Sequence, residues 1–281
     1  METAGRTIGD DLRLNIALVK DLLIRFVRDQ IRNVGFERAI IGLSGGVDSA
    51  VSTSLALQAL GQDNTLAVIL PHRDSSRESV EDAELVAREL GVHAETIDIS
   101  GMVDSYAQAQ NVTDKVRRGN LMARARMIVL YDLSLREKAL VIGTSNKTEL
   151  LLGYGTIHGD LACAINPIGD LYKTQVWQLA DALGIPKKVI EKKPTADLWP
   201  DQTDEGELGF TYASVDRLLH KMVDERRRDD ELAAAGFEPE FISRVREMIR
   251  KNQFKRRPPI IAKVSHRTVN VDFRYSRDWG A

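Results

Sequence analysis

A single cysteine, Cys163, among 281 residues forbids an internal disulfide, a four-cysteine zinc site and a Cys-x-x-Cys redox pair. Charge of one sign is not in excess. The 39 Lys and Arg residues stand against 41 Asp and Glu, a formal charge of -2, so no basic field is present to hold nucleic acid. Long apolar runs are also missing: none approaches the roughly 18 residues of a membrane-spanning helix. The amino-terminal METAGRTIGDDLRLN has acidic groups where a secretory signal would have its apolar core. These absences predict a cytoplasmic protein with neither membrane nor nucleic acid as partner. Repeats and low-complexity tracts are lacking too, and 43% hydrophobic with 28% charged residues suits a folded chain.

What is present is an alternation of short β-branched runs and helical patterns. Ile16, Val19, Leu23, Phe26 and Val27 recur at three- and four-residue spacing and predict a helix over 12–31 with one apolar stripe. Runs at 39–43, 65–70, 94–99 and 139–143 predict strands, and the patterns between them predict helices over 49–60, 79–90 and about 120–138. Strands apolar on both faces and alternating with helices point to an α/β fold with a doubly wound, mainly parallel sheet. Glycines crowd residues 153–169, which predicts a loop-rich substrate face. Further helices are expected over 174–183, 212–228 and 239–251, with a polar loop over 192–207 and a basic, proline-broken tail draped over the domain.

The most informative residues are Ser44, Gly45, Gly46, Val47, Asp48 and Ser49, lying between the first predicted strand and a helix. Two glycines let backbone N–H groups approach phosphate oxygens, the serines add donors, and the helix contributes its positive end. No Gly-Lys-Ser/Thr follows, so this is not a Walker A loop, and lysines and metal must come from elsewhere. Asp48 inside a phosphate cradle would repel the ligand unless a cation lay between them, which suggests Mg²⁺. A plain strand-to-helix turn with Asp and Ser caps is the competing reading. Cys163 and His158 show no partner at catalytic spacing.

The SGGxDS loop resembles that of the N-type ATP pyrophosphatase superfamily. Four further stretches narrow the likeness. GNLMARARM from Gly119, GTSNKTE from Gly143, GDLYKTQV from Gly169 and PTADLWPDQTDE from Pro194 are similar to motifs of the NAD synthetases. With the closing FKRR to DWG region, the resemblance runs from about residue 12 to residue 280.

The resemblance implies an adenine nucleotide alpha hydrolase-like fold in one domain over 1–281. The N-terminal helix falls in 1–38, the ATP pyrophosphatase core in 39–200, and a helical extension with the tail in 201–281. It implies a ligase that forms a C–N bond, amidating deamido-NAD with ammonia at the expense of ATP. The carboxylate attacks the α-phosphate and releases pyrophosphate; ammonia then displaces AMP from the adenylate.

The same resemblance assigns ATP contacts to Gly42, Leu43, Ser44, Gly45, Gly46, Val47, Asp48, Ser49, Thr144, Lys173 and Thr195, with Asp48 and Lys173 as the catalytic pair. Mg²⁺ falls to Asp48 and Glu149, and deamido-NAD to Asn120, Arg124 and Lys255. Phe254 stands where the family has the histidine of a His-Lys pair; Ile157 and Ala164 replace a lysine and an acidic group of many ammonia-using members. Taken singly, Glu149 and Thr195 would read as caps or solvated groups, Lys173 as a surface lysine and Arg124 as a structural ion-pair member.

With about 38 residues before the first strand and no amidase cysteine there, free ammonia is the expected nitrogen source. A separately encoded glutaminase subunit remains an alternative. The likeness also implies a homodimer paired through long helices, and polar composition predicts mobile lids at 201–210 and 254–265. Two other readings stay open, a GMP-synthetase-like adenylating subunit and a nucleotide-binding module without catalysis.

Overall fold

The computed structural model describes residues 10–199 and 202–269. The amino-terminal end and the residues beyond 269 lie outside the described residues; of the tail expected to drape over the domain, Lys255 and Arg256 donate to carbonyls of Leu150, Leu151, Gly153 and Gly155, whereas Ile260 and Val264 are 92% and 94% exposed.

Four strands form one parallel sheet: β1 (Arg38–Gly42), β2 (Thr65–Ile69), β3 (His93–Thr96) and β4 (Ala139–Ile142), in the spatial order β3-β2-β1-β4. Helices fill the connections: α1 (Ile16–Arg32), α2 (Val47–Leu60), α3 (Arg77–Leu90), α4 (Ser100–Ala109), α5 (Lys115–Glu137), α6 (Lys147–Leu152), α7 (Lys173–Ala182), α8 (Lys187–Glu191), α9 (Asp204–Leu208), α10 (Tyr212–Leu219), α11 (Asp229–Ala234) and α12 (Pro239–Lys251).

Alternation along β1 explains why its residues are nearly all apolar. Ile40 packs with Val103, Met122 and Val141 on the α4 and α5 face, whereas Ala39 and Ile41 pack with Val27, Ile31 and Ala56 on the α1 and α2 face. A parallel strand covered on both sides has no solvent face for polar residues. The predicted doubly wound α/β architecture is therefore present. After β1 the chain steps outward to β2 and β3, then returns to place β4 on the other side of β1. The crevice at that reversal, beyond the carboxyl ends of β1 and β4, is where such sheets bind ligands.

Several boundaries differ from the sequence expectation. The helix expected from 49 begins at Val47, so Asp48 and Ser49 belong to its first turn. Helix α5 begins at Lys115 rather than about 120, because Asp114 caps it by accepting from Arg117 N at 2.7 Å. Strand β3 stops at Thr96, although Ile97 N still donates to Ile69 O at 2.9 Å before the chain turns into α4. The single helix expected over 212–228 ends at Leu219 and continues as a wide π turn, His220–Asp224. Asp224 is drawn aside there by Lys147 at 2.8 Å and Tyr172 Oη at 2.9 Å, and Arg226 then takes a positive φ of 57°. The helix over 239–251 appears as expected.

Of the segments read as lids, the described part of 201–210 carries α9, and 254–265 opens with a short 3-10 turn, Gln253–Arg256. Among the described residues no helix is long and apolar enough to cross a membrane.

Candidate active site

The chain leaves β1 at Gly42 and forms a tight loop before α2. Gly45 has φ +79°, and a Cβ built there would lie 2.2 Å from the Ser79 carbonyl, so only glycine fits between the loop and α3. The serine hydroxyls fix the loop from within. Ser49 Oγ donates to Gly46 O at 2.9 Å and accepts from Ser44 N at 3.2 Å, and Ser44 Oγ accepts from Gly46 N at 3.3 Å. Gly46 caps α2 without a side chain of its own, so the positive end of the helix opens toward the crevice.

The loop after β4 meets it. Ser52 Oγ of α2 donates to Gly143 O at 3.1 Å, and Asn146 starts α6 with a capping box in which Glu149 N donates to Asn146 Oδ1 at 3.0 Å. The same asparagine reaches across to β1's loop, donating Nδ2 to Asp48 Oδ1 at 2.9 Å. Its backbone N–H donates to Glu149 Oε2 at 3.2 Å. Asp48 and Glu149 are thus brought together and oriented by one residue.

Lys173 enters from the first turn of α7 and is 3% exposed. Its Nζ pairs with Asp48 and lies 3.5 Å from Glu149 Oε1. Burial opposes its charge, but Asp48, Glu149 and Asp204 outweigh that and hold its pKa above the ordinary lysine range. Burial, together with the Asp48 charge, pushes Glu149 up to about 8 against the pull of Lys173. Asp204, itself raised by burial, accepts from Tyr154 Oη and Tyr212 Oη, both at 3.0 Å. Asp48, Glu149 and Asp204 thus gather around Lys173, three acids about one ammonium, a donor set of hard oxygens suited to a divalent cation.

Around these groups opens a cleft of about 470 Å³. Gly42, Leu43, Ser44, Gly46, Val47, Asp48, Ser49, Thr144, Lys173, Thr195, Glu149, Asn120 and Lys255 all line it. Of the sequence-predicted residues, Gly45 and Arg124 do not. Gly45 is packed behind the loop against α3, and Arg124 donates from Nη2 to Ile157 O at 3.4 Å. Asn120 accepts from Thr156 Oγ1 at 2.8 Å, which fixes the glycine-rich segment to α5. Lys255 Nζ donates to Gly153 O at 2.7 Å and Gly155 O at 2.8 Å, and burial lowers its pKa.

Among the cleft residues that escaped the sequence assignment are Arg126, Tyr154, Lys192 and Asp204. Arg126 had a signal, since it interrupts an apolar helical pattern. It donates from Nε to Leu70 O at 3.0 Å and from Nη2 to Ser75 Oγ at 3.3 Å, at the carboxyl end of β2. Asp204 sits in the QTDE stretch. Tyr154 and Lys192 had none, because their partners are distant in sequence.

Comparison with known proteins agrees with this geometry. The family model described as NAD synthase matches residues 19–259. The NH(3)-dependent NAD(+) synthetase of Chlorobaculum parvum is 54% identical over 269 residues, 96% of this chain and 97% of that protein. The enzyme of the same name from Trichlorobacter lovleyi is 56% identical over 269 residues, 96% and 98% of the two chains. Among solved structures, the NH3-dependent NAD synthetase of Campylobacter jejuni in complex with nitrate has a TM-score of 0.76 at 34% identity, covering 89% of this chain and 100% of that one. NMN synthetase from Francisella tularensis has a TM-score of 0.79 at 31% identity, covering 89% and 99%. With relatives more than half identical along nearly their whole length, and a family model matching residues 19–259, this chain belongs to the NAD synthase family.

Proposed function

We propose that the protein makes NAD by amidating the nicotinate carboxylate of deamido-NAD with ammonia, consuming ATP and releasing AMP and pyrophosphate. The observation that carries this reading is the convergence of Asp48, Glu149 and Lys173 on the rim of the Ser44–Ser49 cradle. That arrangement suits a triphosphate cut between its α and β phosphorus atoms.

A carboxylate resists ammonia because it is anionic and would have to expel oxide. Its oxygen instead attacks the α-phosphorus, the bond to the pyrophosphate oxygen breaks, and an acyl adenylate forms. Ammonia then adds to the acyl carbon, AMP leaves, and the nitrogen gives up a proton to yield the amide. The chain's part is to hold two anions together and stabilise the outgoing pyrophosphate with donors already in place. The cradle and Lys173 supply those donors, with Thr144 and Thr195 on the walls toward ATP. Asn120, Arg124 and Lys255 are assigned to the dinucleotide. Asp48 and Glu149 would hold Mg²⁺, which when bound would neutralise charge on the phosphates.

A homodimer is part of this proposal. On α5, Ile128, Tyr131 and Leu135 stand at one-face spacing and are 52%, 41% and 83% exposed, an apolar stripe that a second copy would cover. The proposal extends to a single domain over 1–281 and a cytoplasmic location.

The test is a product assay with purified protein, ATP, Mg²⁺, ammonium and deamido-NAD. NAD, AMP and pyrophosphate in equal amounts are expected, whereas ADP and phosphate would overturn the mechanism. Parallel arms with glutamine, with nicotinate mononucleotide and with xanthosine monophosphate separate the nitrogen source and the competing acceptors. Binding of ATP without AMP formation would favour a non-catalytic module.

A further inference from the structure

We infer that Lys192 supplies a second phosphate-binding cation, beside Lys173, to the Ser44–Ser49 loop, held there by Asp82; this rests on the ATP reading. The loop carries no lysine of its own. Directly behind it lies α3, so close that Gly45 has no room for a Cβ beside Ser79 O, Asp82 Cβ and Ala83 N. Lys192, from the segment after α8, places its Nζ at this junction, 3.1 Å from Ser79 Oγ and 2.8 Å from Asp82 Oδ2. It lines the cleft alongside Ser44, Gly46 and Ser79.

Two lysines share one carboxylate here. Asp82 is completely buried, and its other oxygen, Oδ1, lies 2.6 Å from Lys188 Nζ. Burial works against the ionised form of Asp82, but the hydrogen bonds from Lys188 and Lys192 outweigh it and leave the carboxyl below its usual range. Lys188 alone can neutralise Asp82, and it stands outside the cleft with a side chain 52% exposed, also 3.9 Å from Glu78. Glu78 is exposed and screened by solvent, so with Lys188 on Asp82 the charge of Lys192 is left to the cleft side. An ammonium has three donors, of which two are used by Ser79 and Asp82, leaving one for an anion in the cradle. A point charge on a buried, oriented stem is how a lysine serves phosphate. Asp82 acts through Lys192 and is a positioning residue.

Lys188 makes the built-in control, since it pairs with the same carboxylate and does not face the cleft. Inorganic pyrophosphate with Mg²⁺ is titrated calorimetrically into the wild type, Lys192→Met, Lys192→Arg and Lys188→Met, and KM is measured for ATP and for deamido-NAD. Lys192→Met is expected to weaken pyrophosphate binding by about tenfold to a hundredfold, the range of one charge-assisted hydrogen bond. It should raise KM for ATP while leaving KM for deamido-NAD within about twofold. Lys192→Arg should recover most of the loss, and Lys188→Met should match the wild type. Wild-type pyrophosphate affinity in Lys192→Met, or an equal loss in Lys188→Met, would overturn the assignment and leave the ATP reading standing. A wild-type protein that neither binds pyrophosphate nor forms AMP would overturn both. Should Lys192→Met fail to fold, Lys192→Gln read against Lys188→Gln carries the same comparison.

Discussion

The side-chain amide of Asn146 donates to Asp48 Oδ1 at 2.9 Å, joining the helix that follows β4 to the helix that follows β1. Because the backbone N–H of Asn146 also donates to Glu149, the two proposed metal ligands share one support. Asp48→Asn and Glu149→Gln should each cut AMP formation by about a hundredfold or more, the scale of losing a preorganised electrostatic group. Thermal unfolding without metal should be unchanged or raised in Glu149→Gln, since the neutral amide replaces a carboxyl whose ionised form burial and Asp48 already disfavour. Wild-type turnover in both variants would remove the metal assignment.

Lys173 is the only cation that pairs directly with Asp48 and Glu149 among the described residues. Lys173→Met leaves buried carboxylates uncompensated and should destabilise the metal-free protein by about 3–5 kcal/mol. Saturating Mg²⁺ should raise the melting temperature of this variant more than that of the wild type. Equal shifts, read by differential scanning calorimetry, would argue against a cation site shared by the two acids.

Gly45→Ala tests the fit between cradle and α3. The residue would be forced to keep φ near +79° with its Cβ against a backbone carbonyl. A loss of about 1–2 kcal/mol from the backbone alone is expected, with more from displaced α3. Activity with ATP should fall with it, and chemical denaturation compared with Gly61→Ala, whose Cβ meets nothing within 4 Å, gives the reference.

How much of this was legible beforehand depends on how far apart the partners lie in the chain. Gly45, Gly46 and Ser49 act within a six-residue loop, and the Asn146 to Glu149 cap spans one helical turn, so both could be read from local order. The strand pattern was readable because β1 and β2 are apolar on both faces. Lys192 with Asp82, Tyr154 with Asp204, and Asp224 with Lys147 are pairings that only the folded chain creates. The last of these lies where the helix expected over 212–228 gives way after α10 to a π turn that ends at Asp224.

Acid–base behaviour gives a prediction independent of metal. Asp216 is buried, and burial raises its pKa to about 6 despite hydrogen bonds from Thr148 Oγ1 at 2.6 Å and Thr174 N at 2.8 Å. From its ordinary value of 3.8 up to about 6 the folded state holds a proton that the unfolded state has released. Its contribution to stability is greatest below that window, declines as pH rises through it, and is flat above. The slope approaches about -1.4 kcal/mol per pH unit for one full proton. Denaturation across pH 4–7 should show a shallower decline in Asp216→Asn than in the wild type, and parallel curves would refute the shift.

The apolar stripe on α5 makes the dimer testable. Tyr131→Asp with Leu135→Asp should turn a dimer into a monomer in sedimentation velocity, because two like charges would be buried without partners. A double variant that still sediments as a dimer would place the contact elsewhere.

Helix α12 and the turn after it fasten the end of α6: Asn252 Nδ2 donates to Leu152 O at 2.8 Å, and Arg256 Nη1 donates to Leu150 O at 3.1 Å and Leu151 O at 2.8 Å. A growing polypeptide can therefore pack its cradle against α3 only after Leu90 has been made, and the helix bearing Glu149 acquires its last anchors only once synthesis has passed Arg256. A nascent chain released before that point would carry the Ser44–Ser49 loop without the anchored acid opposite it.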